Sequence, residues 1–149
     1  SLLNAGVRYI TMPIIKQYNI VTNDVRDNEN VFFIFLENKK RIGGGHIAML
    51  LRDSSNAIPL TIKKSNGQGI AHYFHREDLM YATDDLIFQL NIVKDVLNRG
   101  CVVVFPMECL VDNEFVEEIF REACEPFAND FYNQLDYLFE NYKAKKYVS

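Results

Sequence analysis

The amino-acid sequence predicts a single three-layer α/β domain over residues 1–149, with a mostly parallel or mixed central sheet flanked by helices. Two runs, Val31–Phe35 and Cys101–Phe105, are apolar throughout, which is typical of strands buried on both faces of a parallel sheet. A helical pattern before the second run ends at Gly100. A helix, a glycine and then an apolar strand indicate a βαβ crossover. The chain length suits one domain with a sizeable core.

The first half of the chain predicts three strands and one short helix. Val7–Ile15 is the first predicted strand, and Pro13 within it favours an edge position or a bulge. Val31–Phe35 is the second, and the alternating segment Ala57–Lys63 is the third. Between the last two, His46–Arg52 fits a short helix that follows a glycine-rich turn.

The second half predicts mainly helices. The clearest has Thr83 as its N-cap, two aspartates in its first turn and an apolar stripe formed by Leu86, Leu90, Val93 and Leu97. After the second apolar strand, two helices close the chain, from Glu114 to about Ala123 and from Asn129 to about Lys145. Pro126 is predicted to separate them.

Composition excludes several classes of function. A net charge of −4 argues against binding of nucleic acid through a broad basic surface. No apolar run approaches the ~20 residues that cross a membrane, and no signal-peptide pattern begins the chain, so a cytoplasmic protein is predicted. The three cysteines, Cys101, Cys109 and Cys124, are widely spaced without a CxxC pair, which favours free thiols over disulfides or a zinc site.

The strand Val31–Phe35 leads into a run with three consecutive glycines, Gly43, Gly44 and Gly45. Glycine permits positive φ and lets a ligand approach the backbone closely, so this run can offer N–H groups to an anion. Ligands of open α/β sheets bind at the carboxyl ends of the strands. If the two apolar strands are parallel neighbours, one crevice is expected to be lined by the glycines together with Glu37, Asn38, Arg41, His46 and Glu108.

Other interpretations of these motifs remain open. The glycine run equally fits a loop that lets a strand turn back against a helix, and neither a Walker A motif nor GxGxxG is present. His72 and His75, with Glu77 and Asp78 nearby, are spaced too loosely for a metal site, and surface histidines are the simpler interpretation. No metal ligands are therefore predicted.

The two C-terminal helices are unusually rich in aromatic residues. Core packing against the sheet accounts for most of these rings. A surplus ring face exposed among acidic side chains would suit a host protein partner or a homo-oligomer. The rings concerned are Phe115, Phe120, Phe127, Phe131, Tyr132, Tyr137, Phe139 and Tyr142.

The order of these motifs resembles a small, functionally unassigned family of bacterial and bacteriophage proteins with the pattern VFxFGDN, RxGxGGQA, NAxGIPTK and VVxPxDGLGTGLA. The resemblance covers about residues 20–140 and rests on Val31–Phe35, Glu37, Asn38, Arg41, Gly43, Gly45, Ala48, Arg52, Asn56–Pro59, Lys63 and Val102–Pro106. It implies a macrodomain-like outline with a pocket for a nucleotide or an ADP-ribose-like ligand. It also implies a bacterial or viral protein, located in the host cytoplasm if a phage encodes it.

The chain departs from the family pattern where that pattern would bind phosphate. Leu36-Glu37 stands in place of Gly-Asp, and His46-Ile47 stands at or beside a Gly-Gln. The second glycine loop is replaced by residues 108–113, from Glu108 to Asn113, whose side chains would crowd a phosphate and whose carboxylates would repel one. These departures favour a protein that has not kept the family's ligand chemistry unchanged.

Three functions follow from the sequence. The first is an accessory protein without catalysis that binds a nucleotide or ADP-ribose-like ligand at the glycine run, with no cofactor identified. The second is a protein whose pocket is filled by Cys109, Leu110 and Val111 and which acts by contact with a host factor or with itself. The third is a hydrolase of a nucleotide-derived bond, with His46 or Glu37 as acid or base.

Overall fold

A parallel β-sheet forms the middle of the protein. The computed structural model describes residues 13–20, 22–26, 30–107, 114–143 and 145–147. In these residues five strands pair in the order β3-β2-β4-β1-β5, and every pairing is parallel. The strands are β1 (Ile14–Gln17), β2 (Val31–Asn38), β3 (Ala57–Lys63), β4 (Val102–Pro106) and β5 (Lys145–Tyr147).

Helices cover both faces of the sheet, which confirms the predicted α/β fold. Side chains of α1 and α2 pack on one face, and those of α3, α4 and α5 pack on the other. Two single 3₁₀ turns, at Ile70–His72 and Arg76–Asp78, lead into α3. The helices are α1 (Thr22–Arg26), α2 (Gly45–Leu51), α3 (Leu79–Asn98), α4 (Glu114–Ala123) and α5 (Glu125–Asn141).

The packing of β2 and β4 explains why the runs Val31–Phe35 and Cys101–Phe105 are apolar throughout. On β2, Ile34 packs toward α3 and α5, whereas Phe33 and Phe35 pack toward α1 and α2. On β4, Phe105 and Val104 divide in the same way. Because successive side chains of a strand point to opposite faces and both faces are covered, every position of β4 is buried, as is every position of β2 except the half-buried Phe32 and Leu36.

Strand β1 is an internal strand, so the edge position inferred from Pro13 is wrong. β1 lies between β4 and β5, and the carbonyl of Pro13 accepts a hydrogen bond from the Val103 N–H at 2.8 Å. Residues 7–12 of the predicted first strand lie outside the described residues. The edge strand that does contain a proline is β3, with Pro59, and proline is tolerated at a sheet edge because it lacks an N–H.

Strand β2 continues three residues beyond the predicted end at Phe35. Leu36 and Glu37 pair with Leu60 and Thr61 of β3, and a bulge follows before Asn38. Pairing with a neighbouring strand has therefore extended β2 through residues whose polarity suggested a loop. The consequence for the site is that Glu37 and Asn38 stand at the end of a strand and are held by the sheet.

Helix α3 begins five residues before its predicted start and α5 begins four residues before. Thr83 lies inside α3, because the 3₁₀ turn before Leu79 opens the helix: the Asp78 carboxylate accepts a hydrogen bond from the His75 N–H at 2.9 Å. Pro126 lies in the first turn of α5, where a missing N–H costs nothing, so it begins the helix. α5 ends at Asn141, and the segment predicted as its last turn leads instead into β5.

Two further observations bear on the sequence predictions. Cys101 and Cys124 are free thiols, and Cys109 lies outside the described residues. In the part of the chain that the structure describes, no helix combines the length and apolar character needed to span a membrane.

Candidate functional site

The carboxyl ends of β2 and β4 meet where the chain changes direction across the sheet. These strands are parallel neighbours, with Val31 opposite Val102 and Phe33 opposite Val104, which meets the condition that the crevice inferred from the sequence required. After β2 the chain passes to β3 at one edge, and after β4 it returns to β5 at the other edge. Such a point, where connections leave in opposite directions, is the usual ligand-binding position of an open α/β sheet.

A cavity of about 350 Å³ lies at this end of the sheet. Its walls come from the ends of β2 and β3, the glycine run with the start of α2, the turn at residues 66–68, Tyr73, and the first turn of α4. The volume falls within the range of small-molecule sites. The lining residues are Leu36, Glu37, Asn38, Gly44, Gly45, Ile47, Ala48, Ile62, Lys63, Asn66, Gly67, Gln68, Tyr73, Phe115 and Val116.

The Glu37 carboxylate is already bound by Arg52. Arg52 donates from Nε to Oε2 at 2.7 Å and from Nη2 to Oε1 at 2.5 Å, and Oε1 also accepts from the Asn38 N–H at 3.0 Å. Arg52 Nη2 donates further to the carbonyl of Gly43 at 3.0 Å. The hydrogen bonds to Glu37 raise the pKa of the Arg52 guanidinium. This buried pair therefore fastens the glycine run to the end of β2.

The buried side chain of Asn38 fixes the turn that follows β2. Its Oδ1 accepts from the Lys40 N–H at 3.1 Å, and its Nδ2 donates to the Ile42 carbonyl at 2.8 Å. Its backbone carbonyl accepts from the Arg41 N–H at 3.0 Å, which closes a β-turn. Asparagine is favoured in turns because its amide can replace backbone partners in this way. Asn38 is therefore committed to the loop itself.

The three glycines all adopt the left-handed conformation that glycine permits, with φ of 61° at Gly43, 92° at Gly44 and 82° at Gly45. The Gly44 N–H donates to Asn66 Oδ1 at 3.1 Å, which links the run to the neighbouring turn. A Cβ at Gly43 would overlap the Asn66 amide, and one at Gly44 would stand 3.1 Å from the Ala48 Cβ. The run is thus built closely against its neighbours.

The predicted site residues fall into three groups. Glu37, Asn38, Gly44 and Gly45 line the cavity, and Gly43 holds Arg52 through its carbonyl. Arg41 and His46 were expected to point into the crevice, but both are exposed and neither lines the cavity. Glu108 lies outside the described residues, as do Cys109, Leu110 and Val111, which were considered as pocket-filling residues.

Two cavity residues were not among the predicted site residues. Lys63, the last residue of β3, donates from Nζ to the Gly67 carbonyl at 2.7 Å and lies 5.4 Å from the centre of the Tyr73 ring. Burial lowers the pKa of Lys63 and raises that of Tyr73. Phe115, in the first turn of α4, lines the cavity although its side chain is 62% exposed. For Lys63, the signal available in the sequence was its position at the end of β3, the strand next to β2.

The histidines outside the glycine run hold loops in place. His72 Nδ1 contacts Ser65 Oγ at 2.8 Å, and His75 Nε2 contacts the Ile70 carbonyl at 2.9 Å. Within the described residues, no group of three or more histidine, cysteine or carboxylate side chains is arranged to bind a metal ion. The sequence interpreted His72 and His75 as surface histidines; both are half-buried, and their contacts hold the loops before α3.

Comparison with known proteins gives a family but no function. The chain belongs to a family of unknown function (DUF7831), whose model matches residues 15–114. The matched region contains all of β2, α2, β3, α3 and β4, and therefore most of the cavity wall. Comparisons with curated proteins and with solved structures found no significant match.

Proposed function

Because the family of this chain has no assigned function, we propose one from the cavity: the protein binds a nucleotide-like small molecule there and does not transform it. The observation that carries this proposal is the cavity's combination of walls. Bare glycine backbone, at Gly44 and Gly45, forms one wall, and the exposed ring of Phe115 belongs to another.

The glycine wall suits a ligand that must approach the backbone. Gly44 and Gly45 present no side chain to the cavity, and the hydrogen bonds of Arg52, Asn38 and Asn66 fix the run before a ligand arrives. A site that is already ordered avoids the free energy that a flexible loop would spend on ordering. This supports binding of a ligand with a flat or extended polar part along the run.

The aromatic residues suit a flat ring. Tyr73 is buried beside Lys63, and Phe115 keeps most of its surface exposed at the cavity. An exposed phenylalanine in a cavity wall offers a ring face on which a nucleobase can stack. The resemblance to proteins with ADP-ribose-type pockets supports the same ligand class, and it supports a bacterial or phage protein acting in the cytoplasm.

Binding without catalysis is favoured by the positions of the two candidate acid–base groups. The hydrolase hypothesis assigned that role to Glu37 or His46. The Glu37 carboxylate accepts three hydrogen bonds from protein donors, and His46 is exposed and outside the cavity lining. Neither group is therefore positioned to exchange a proton with a molecule in the cavity.

A thermal-shift screen tests the proposal directly. We expect AMP, ADP, ADP-ribose or NAD to raise the melting temperature by several degrees, since a ligand at 100 times its Kd stabilises the native state by about 2.7 kcal/mol. Phe115→Ala should abolish the shift without changing stability. Tyr137→Ala is the matched control, because Tyr137 is a similarly exposed ring outside the cavity lining, at 55%. A shift that Phe115→Ala leaves intact would contradict the proposed site.

A second candidate function is protein contact through the outer face of α3. The sequence predicted that most rings of the C-terminal helices pack in the core and that a surplus is exposed; Phe120, Phe127 and Phe131 are buried, and Phe115 and Tyr137 are exposed. The larger set of exposed apolar side chains lies on α3, and such clusters mark interaction surfaces. Its members are Met80, Tyr81, Ile87, Phe88 and Ile92. If this face binds a second copy, Phe88→Lys should reduce the molar mass measured by light scattering; a monomer in both forms would contradict that.

A further inference from the structure

We propose that Lys63 binds the anionic group of the ligand, so that the ligand is a phosphorylated nucleotide rather than a nucleoside. This inference rests on the proposed function and names the chemistry of its ligand. The sequence suggested the glycine run and Arg41 for the anion contact, whereas this inference assigns it to the last residue of β3.

The Lys63 side chain belongs to the cavity wall. Its ammonium lies among other cavity-lining residues, 2.7 Å from the Gly67 carbonyl and 5.4 Å from the centre of the Tyr73 ring. An ammonium group carries three N–H donors. The Gly67 carbonyl accepts one hydrogen bond from Lys63, and no other acceptor of that ammonium is found among the described residues. Donors therefore remain for a molecule in the cavity.

No carboxylate of the described residues neutralises the charge of Lys63. The described residues contain three salt bridges, Arg52 with Glu37, Lys64 with Asp78 and Arg121 with Glu117, and Lys63 takes part in none of them. Glu37 is the one carboxylate among the described lining residues, and Arg52 already occupies it. A half-buried cation without a counter-charge is costly. An anion in the cavity would supply that charge in a place where water screens it poorly.

Three other basic residues near the cavity are less suited than Lys63 to bind an anion in it. Arg41 is exposed and does not line the cavity, so its interaction with a bound anion would be screened by water. Lys64 pairs with Asp78 at 3.7 Å, and Lys39 lies over the Tyr81 ring at 4.3 Å. Lys63 thus combines a place in the cavity wall with a charge that no carboxylate of the described residues pairs, and the other three do not line the cavity.

Calorimetric titration with AMP and adenosine tests the inference, because the two probes differ by one phosphate. We expect the wild-type protein to bind AMP at least about tenfold more tightly than adenosine, as a charge-assisted hydrogen bond predicts. In Lys63→Met this preference should fall to about twofold or less. Lys64→Met is the matched control, since Lys64 is the adjacent lysine and lies outside the lining, and it should keep the full preference.

The outcomes separate the two proposals. A preference for AMP that survives in Lys63→Met, or equal binding of both probes by the wild type, overturns the role of Lys63 and leaves the nucleotide site intact. If neither probe binds, the proposed function fails. Titration of ¹⁵N-labelled protein with inorganic pyrophosphate then decides the present inference: shifts at residues 63–68 that Lys63→Met abolishes support it, and their absence overturns it. Unchanged thermal unfolding of Lys63→Met verifies that the variant is folded.

Discussion

Two basic residues beside the cavity have opposite environments. Arg52 contacts the glycine run from outside the cavity lining, where it binds the Glu37 carboxylate and the Gly43 carbonyl. Lys63 stands in the cavity wall with a backbone carbonyl and an aromatic ring as its partners. Hydrogen bonding raises the pKa of Arg52, and burial lowers the pKa of Lys63.

Arg52 is one of the residues that hold the site in place, whereas Lys63 is one whose polar group is available to a ligand. A paired charge stabilises the fold, because removing its partner leaves an uncompensated charge in the interior. An unpaired charge that lines a cavity contributes little to stability and remains available to a ligand. Glu37 and Asn38, which the sequence suggested as ligand contacts, belong to the first kind.

The largest expected effect comes from breaking the buried pair. Arg52→Ala should lower the free energy of unfolding by about 3–5 kcal/mol, because Glu37 would be left buried without its partner. Urea denaturation measures this. Arg52→Lys should recover only part of the loss, since lysine cannot reproduce the planar two-nitrogen contact. The double variant Glu37→Leu, Arg52→Leu should cost less than Arg52→Ala alone; equal or greater loss would show that the pair is not the cause.

The turn after β2 should respond less strongly. Asn38→Ala removes two side-chain hydrogen bonds in a buried position and should cost about 2 kcal/mol. Asn66→Ala removes one exposed hydrogen bond to the same loop and should cost less than about 1 kcal/mol. Chemical denaturation of both variants gives the comparison. Equal losses would mean that Asn38 does not organise the turn as its contacts indicate.

Lys63→Met should change the free energy of unfolding by less than about 1 kcal/mol at neutral pH, because methionine can occupy the apolar part of the site. The pH dependence gives a sharper test. The native pKa of Lys63 lies below its ordinary value of 10.5, so the unfolded chain binds more protons between the two values. The stability of the wild type relative to Lys63→Met should therefore rise with pH in that window.

The titratable groups described near Lys63 do not obscure its effect on stability in this pH window. Tyr73 faces Lys63, and its raised pKa affects stability only near and above pH 10, where it acts in the opposite direction. Glu37 shares the cavity but is bound by Arg52. Because Tyr73 is present in both proteins, the difference between them, followed from neutral pH up to the ordinary value of 10.5, isolates the contribution of Lys63. A relative stability that falls with pH would contradict a desolvated ammonium.

The smallest effect is expected at Arg41. This residue adopts a left-handed conformation, with φ of 59°, which is unfavourable for any residue with a Cβ. Arg41→Gly should leave stability unchanged or raise it by up to about 1 kcal/mol, and it should not weaken AMP binding. A tenfold loss of AMP affinity would return the anion contact to the glycine run.

The sequence predicted the parts of the fold that depend on local patterns. β3 and α4 have the predicted bounds, because regular alternation and helical spacing mark both segments. The apolar runs predicted that β2 and β4 are buried strands of a parallel sheet, but their adjacency was only assumed. The start of α3 was wrong by five residues and that of α5 by four. A 3₁₀ turn replaced the expected Thr83 cap at α3, and Pro126 begins α5 rather than separating two helices.

The sequence indicated where a candidate site would lie, but not which residues hold the loop and which could contact a ligand. The glycine run was located correctly at the end of a strand beside a cavity. The partner of Glu37 is fifteen residues away at the end of α2, and no local pattern connects Glu37 with Arg52. Likewise, nothing in the sequence near Lys63 indicates that no described carboxylate pairs with it, because that depends on which side chains the folded chain brings together.

The most direct test of the account is a titration of ¹⁵N-labelled protein with AMP, followed by amide chemical shifts. We predict that the largest shifts fall at Lys63, at residues 66–68, at Gly44 and Gly45, and at Phe115. Arg41 and His46 should change little. Shifts concentrated at Arg41 and His46, with none around Lys63, would contradict the claim that Lys63 in the cavity wall is the ligand-binding charge.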